Sequence, residues 1–215
     1  MSNEKKVLIV GGTSCIAKEI IEALESNQYK INLMTFRQQW KIYGDYTWAY
    51  CDLEEVDSVN NLIDLIKKDK YSKMIFLPGN SLGPVVGEHS YEQLEAFYNA
   101  FVFRYNFLIK EASKCLTEDG QIISISSIAA NIAINDAHYS AVKAGVQAFV
   151  KSLSLKLRPN QSAFSISPGL IYNSTTFNQQ KYTGDISELA TKDQIAKIIA
   201  NADKSYNGKV IEIGY

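Results

Sequence analysis

The chain has 215 residues, 46% of them hydrophobic and 21% charged, enough apolar side chain for a packed core and too much for a disordered chain. Lys and Arg total 22 against 23 Asp and Glu, a net charge of −1, which leaves no basic excess for a nucleic-acid backbone. No apolar run approaches the roughly 20 residues that span a bilayer, and the length fits one domain.

Lys6–Val10 is a charged start followed by a continuous apolar run, the pattern of a strand buried on both faces. Gly11, Gly12, Thr13 and Ser14 follow, then an amphipathic helix over Ile16–Leu24 with Ile16, Ile20, Ala23 and Leu24 on one face. Ile31–Thr35 and Thr47–Cys51 read as short strands. Val56–Lys68 reads as a helix, and Lys73–Leu77 as a fourth strand stopped by Pro78-Gly79. Tyr91–Leu116 is expected to be one long helix rich in aromatics. Gln121–Ser126 is a fifth strand, and Ala137–Leu157 a second long helix. Ala163–Ser167 ends at Pro168-Gly169, and Lys192–Ala202 is a helix opened by a Thr191 cap. Lys209–Ile213 is the last strand. Alternating strands and helices predict an α/β fold: a Rossmann-like, doubly wound three-layer α/β/α sandwich with a mainly parallel seven-stranded sheet. No linker or repeat interrupts it, so residues 1–215 are read as a single domain. The longest irregular stretch, Leu170–Glu188, has the length of a functional loop.

A strand, a glycine turn and a helix form the place where a doubly wound fold holds a dinucleotide pyrophosphate on a helix N-terminus. Here that loop is Gly11-Gly12-Thr13-Ser14-Cys15-Ile16-Ala17, with Cys15 and Ala17 at the second and third glycine positions of a Gly-x-x-x-Gly-x-Gly spacing. A plain strand-to-helix turn is the competing reading. A sharper signal is Tyr139-Ser140-Ala141-Val142-Lys143. Four residues apart on a helix, the phenol and ammonium share a face. A nearby cation favours phenolate and suits Tyr139 to acid–base work on a carbonyl or alcohol oxygen. Ser127, at the end of the fifth strand, lies at the same carboxyl edge of the sheet and can hydrogen-bond that oxygen. The three cysteines, Cys15, Cys51 and Cys115, are widely spaced and fit no metal pattern, so no metal is expected and a reducing, cytoplasmic setting is.

With these pieces in order, the chain resembles the short-chain dehydrogenase/reductase family over essentially its whole length, in a divergent branch carrying Gly-Thr-Ser-x-Ile-Ala. The resemblance rests on Gly11–Ala17, Asp52-Leu53, Gly79, Ser127, Tyr139, Lys143, Pro168-Gly169 and Gly208…Gly214. It implies an oxidoreductase that transfers hydride between a nicotinamide and a carbonyl or alcohol substrate. Tyr139 would be the proton donor, Lys143 would lower its pKa and bind the nicotinamide ribose, and Ser127 would hold the substrate oxygen. Gly11, Thr13, Ser14, Cys15 and Ile16 would line the pyrophosphate, and Asp52 and Leu53 the adenine. Gly79, Pro168, Gly169 and Ile171 would lie toward the nicotinamide. Three positions depart from the family pattern: Cys15 replaces a glycine, Phe76-Leu77-Pro78 replaces Asn-Asn-Ala before Gly79, and Phe101 stands where the relay Asn is expected. A non-catalytic nucleotide sensor or scaffold on the same fold is the alternative.

Arg37, with no carboxylate beside it at the end of the second strand, suits a 2′-phosphate and favours NADP(H) over NAD(H). Polar and aromatic residues in 170–188 (Asn173, Ser174, Asn178, Tyr172, Phe177, Tyr182) suit a sugar-like substrate. Helices 91–116 and 137–157 are expected to form a homodimer or homotetramer interface, because a helix apolar on every side is hard to bury in one domain.

Overall fold

A computed structural model describes residues 4–36, 46–77, 79–80, 82, 88–180 and 182–214. Its sheet has seven strands: β1 (Lys5–Val10), β2 (Tyr29–Phe36), β3 (Thr47–Tyr50), β4 (Tyr71–Phe76), β5 (Leu116–Ile125), β6 (Ser162–Pro168) and β7 (Val210–Ile213). Their order is β3-β2-β1-β4-β5-β6-β7, and every neighbouring pair runs parallel. The chain winds outward from β1 in one direction, then returns to its other side at β4. The crevice between β1 and β4 is therefore the switch point, where such sheets bind ligands beyond their carboxyl ends.

The described residues hold seven α-helices: α1 (Ala17–Ser26), α2 (Val56–Ile66), α3 (Tyr91–Tyr98), α4 (Tyr105–Ser113), α5 (Ala137–Ser154), α6 (Thr175–Gln180) and α7 (Lys192–Asn201). Strand alternation divides the core between two faces. Val7 and Ile9 pack with α1 and α7, while Leu8 and Val10 pack with α2, α3, α4 and α5. All four side chains are essentially inaccessible, which explains the unbroken apolar run of β1.

Three expectations need correction. The helix expected over 91–116 ends at Ser113, and Leu116 already pairs with Tyr71 as the first residue of β5. The pairing then jumps from Tyr71↔Leu116 to Lys73↔Gln121, an irregularity that absorbs the polar residues 117–120. The same helix is also interrupted by a π-helical turn, Asn99–Arg104, where the Tyr105 N–H reaches back five residues to the Ala100 carbonyl. Within 170–188, Ser174 caps α6 by accepting from the Phe177 N–H at 3.1 Å, so that stretch is partly helical.

Candidate active site

The β1–α1 loop is tied to the end of β2. The Gly11 N–H donates to Thr35 Oγ1 (3.0 Å), and the Gly12 N–H to the Thr35 carbonyl (2.8 Å). Gly11 has a φ of 90°, a left-handed backbone that favours glycine. The first turn of α1 begins at Ile16 without a side-chain cap, so its orphan amides remain suited to an anion. Cys15 is exposed and needs no positive φ, which is why a Cβ is tolerated there. Ile16 is buried in the core, so only its backbone faces the loop.

A cavity of about 310 Å³ opens at the β1/β4 switch point. Of the expected cofactor residues, Gly11, Thr13, Ser14, Asp52, Leu53 and Gly79 line it. Leu77 and Phe101, two of the positions that depart from the family pattern, also line it, as do Val10, Thr35, Cys51 and Asn80, which carry no sequence signal for the site. Several sit at or just past strand ends, a placement that needs the strand order and not a motif. Arg37 lies outside the described residues. Asp52 is buried, and its Oδ1 accepts from the Glu54 N–H at 2.9 Å.

The catalytic candidates gather between β5 and α5. Asp136 caps α5 by accepting from the Tyr139 N–H at 2.8 Å, which fixes the first turn. Ser126 Oγ donates to the Lys143 carbonyl (3.1 Å), and Lys143 Nζ donates to the Ile125 carbonyl (3.2 Å). These two bonds lock helix to strand end. Ser127 is held at its carbonyl by Gln147 Nε2 (3.4 Å) and Ser167 Oγ (3.3 Å). Its Oγ accepts from the Ala129 N–H (3.2 Å) and lies close enough to the Tyr139 phenol to favour its ionised form. Gln147, four residues after Lys143 on α5, could have been found by helical spacing.

Electrostatics at this corner differ from expectation. Burial raises the Tyr139 phenol above its ordinary value; the Ser127 hydrogen bond lowers it and Asp136 raises it. Lys143 is not among the causes of that shift; its Nζ lies over the Tyr139 ring, 5.5 Å from the centroid. Burial in turn lowers Lys143 to about 8, since a cation loses hydration there. Near pH 7 both groups hold their protons, an arrangement able to give a proton to a carbonyl oxygen.

Gly79 joins the two halves of the site. It lines the cavity, and a Cβ there would stand 3.0 Å from Lys143 Nζ. Gly169 and Ile171 close the far side beyond β6. The Gly169 N–H donates to the Ile213 carbonyl (2.8 Å), and Ile171 bridges to Ala190. Pro168 ends β6 beside Ile213 of β7. These three are not among the lining residues of the cavity.

The family model for short chain dehydrogenases matches residues 5–185. The chain belongs to the short-chain dehydrogenase family. It is therefore an oxidoreductase acting on carbonyl or hydroxyl groups. The family's 3-oxoacyl-[acyl-carrier-protein] reductase FabG from Buchnera aphidicola is 27% identical over 228 residues, covering 99% of this chain and 87% of that protein. A short chain dehydrogenase family protein from Francisella tularensis has a similar fold, with a TM-score of 0.81, 19% identity and coverage of 98% and 97% of the two chains. ElxO with NADP bound superposes with a TM-score of 0.78, at 21% identity and 98% and 97% coverage. The family implies a nicotinamide dinucleotide, and the residues present fit one. The uncapped α1 amides and left-handed Gly11 suit a pyrophosphate, and bare Gly79 leaves room beside Lys143. Among the described residues, no helix is long and apolar enough to cross a membrane, and no group of three or more His, Cys, Asp or Glu could hold a metal.

Proposed function

We propose that this short-chain dehydrogenase is an NADPH-dependent reductase of a carbonyl substrate, with Ser127, Tyr139 and Lys143 as its catalytic residues. The observation that carries the reading is Gly79, which lines the crevice at the β1/β4 switch point and abuts Lys143 Nζ. When bound, NADPH would supply the hydride for the carbonyl carbon. The Tyr139 phenol gives its proton to the carbonyl oxygen, and Ser127 Oγ holds that oxygen in place. Lys143 keeps a positive charge near Tyr139 and would hold the nicotinamide ribose. The Gly11–Ile16 loop, including the Cys15 amide, would hold the pyrophosphate, Asp52-Leu53 the adenine, and Pro168, Gly169 and Ile171 the carboxamide end. Two features support NADP(H) over NAD(H): Arg37 in the sequence, and the NADP bound to ElxO on the same fold.

The substrate is a small carbonyl or alcohol. A sugar-like substrate draws less support than the sequence suggested. Phe177 packs against Tyr172 (5.2 Å between centroids) and Tyr182 (5.9 Å), so these rings engage one another, and Ser174 is buried as a cap. Assembly into a homodimer or homotetramer is proposed through α3–α4 and α5. The inner side of α3–α4 is buried, while Tyr91, Phe103 and Phe107 are exposed, at 73%, 67% and 44%. The free thiols of Cys15, Cys51 and Cys115 suit the cytoplasm.

The test is a thermal-shift titration with NADPH, NADP, NADH and NAD, followed by Tyr139→Phe. Native-state binding raises the unfolding temperature, with NADPH expected to act at the lowest concentration. Tyr139→Phe is expected to lower turnover by about 10²–10⁴-fold while NADPH still binds. No shift with any of the four, or turnover retained in the variant, overturns the reading. Light scattering that finds monomer alone at micromolar concentration overturns the assembly.

A further inference from the structure

The π-helical turn Asn99–Arg104 reaches the site at two points. Phe101 lines the cavity directly. Arg104, three residues on, crosses to the loop between β3 and α2. Its Nη1 donates to the Leu53 carbonyl at 3.0 Å and to the Glu54 carbonyl at 2.9 Å. These carbonyls belong to the turn whose Asp52 and Leu53 line the same cavity. Three further hydrogen bonds of that turn are local. The Asp52 N–H donates to Ser58 Oγ (2.8 Å), the Glu54 N–H to Asp52 Oδ1 (2.9 Å), and the Glu55 N–H to the Asp52 carbonyl (3.2 Å). They shape the turn locally, while buried Cys51 and Leu53 belong to the same core cluster as Val10 of β1 and Phe76 of β4. Arg104 brings a restraint from about 50 residues away in sequence.

The chemistry of the contact favours positioning. A guanidinium is a rigid fork of donors, and here it holds two successive backbone carbonyls. Bonds made by a charged donor are stronger than those between neutral groups. The contact therefore fixes the path of the backbone that presents Asp52. Within the π turn, the wider helical step brings Phe101 to the cavity wall and Arg104 to the loop on the same side. Such turns recur at functional sites.

We propose that Arg104 is a positioning residue for the adenosine half of the dinucleotide, acting through Leu53 and Asp52 without touching the cofactor. This rests on the cofactor reading above. The experiment compares the full-length chain with Arg104→Met and Arg104→Lys. Three ligands are titrated: NADPH or NADH, whichever binds the wild type more tightly; its adenosine half, 2′,5′-ADP or ADP; and its nicotinamide half, reduced nicotinamide mononucleotide. Arg104→Met is expected to weaken the dinucleotide and the adenosine half about tenfold and to leave the nicotinamide half within about twofold. Arg104→Lys keeps a charged donor and is expected to restore most of the loss. Amide exchange at Glu54 and Glu55 is expected to quicken in Arg104→Met. Should that variant not fold, Arg104→Gln carries the same comparison. Unchanged affinity for the adenosine half, an equal loss for both halves, or no recovery with Lys overturns the proposal. A wild type that binds none of the three overturns the cofactor reading and this proposal with it. A wild type that binds, beside unchanged variants, overturns this proposal alone.

Discussion

Two lysines are buried among the described residues, and burial lowers both to about 8. Lys73 stands near the amino-terminal edge of the sheet on β4. There it donates to Gln121 Oε1 and to the Ala202 carbonyl, and it lies 5.2 Å from the centre of the Tyr29 ring. Gln121 passes the chain on to Ser162 Oγ at 3.2 Å. Lys143 stands at the opposite edge. Among the described residues it has one hydrogen-bond acceptor, the Ile125 carbonyl, and it borders the space where Gly79 lacks a side chain. An ammonium carries three donors. The first lysine spends them on the protein, and the second keeps capacity toward a cavity. Equal pKa values thus conceal different roles, and the role is read from where the donors go.

Replacing each lysine with methionine is the strongest way to break this comparison. Lys143→Met is expected to lower turnover by about 10²-fold or more, because the charge beside Tyr139 is lost, and to weaken NADPH binding. Lys73→Met is expected to leave turnover and NADPH affinity within about twofold, since its partners lie away from the cavity. Turnover measured on a carbonyl panel, together with NADPH titration, separates the two. Equal losses in both variants would mean that the two sites are not functionally distinct.

The same contrast explains what could be read from the sequence. The carboxyl edge was legible because its parts are short local motifs: glycines after a strand, Tyr139 four residues before Lys143, and a serine ending β5. The amino-terminal edge was not. Gln121 meets Lys73 across 48 residues, and no local period announces that contact. The long helix was misjudged for a related reason. Apolar residues recur along 91–116 up to its end, but Leu116 pairs with Tyr71 as sheet, and tertiary pairing overrides local pattern. The π turn is likewise silent in sequence, since its hydrogen bonds leave no marker residue. Phe101 was marked in the sequence as standing at the relay position, whereas Arg104 became a site residue only in three dimensions.

A smaller effect is expected from adding one methyl group at each edge. At Gly79 a Cβ would stand 3.0 Å from Lys143 Nζ, the mobile end of a side chain. Gly79→Ala should fold with nearly unchanged stability and lose about tenfold in turnover as the ammonium is displaced. At Gly120 a Cβ would meet the Tyr71 carbonyl at 2.8 Å and Leu116 at 3.0 Å. Backbone cannot yield as a lysine tip does, so Gly120→Ala should cost about 1–3 kcal/mol of stability with turnover per folded molecule unchanged. Urea unfolding and turnover, measured on both variants, check the pair. An activity defect at Gly120 with no loss of stability would reverse the assignment of the two edges.

The finest test uses alkaline pH, where both lysines should behave alike. In the folded chain each loses its proton near 8, against an ordinary value of 10.5. Between those values the unfolded chain holds more protons on these residues, so their contribution to stability rises with pH. Below about 8 both states carry the proton and the penalty for burying the charge is complete. Above 10.5 both states are neutral and the penalty is gone. Cys51 and the buried tyrosines oppose this trend, since burial raises them and the unfolded chain is the first to lose their protons. Comparing wild type with each lysine variant cancels those groups. The stability of wild type relative to Lys73→Met should therefore climb between pH 8 and 10, toward a full span of about 3 kcal/mol, and Lys143→Met should give a similar slope. Urea unfolding across that range reads the difference directly. A flat difference for Lys73 would mean that Gln121 and Ala202 compensate its charge fully, so that the two buried ammonium groups differ in energy as well as in role.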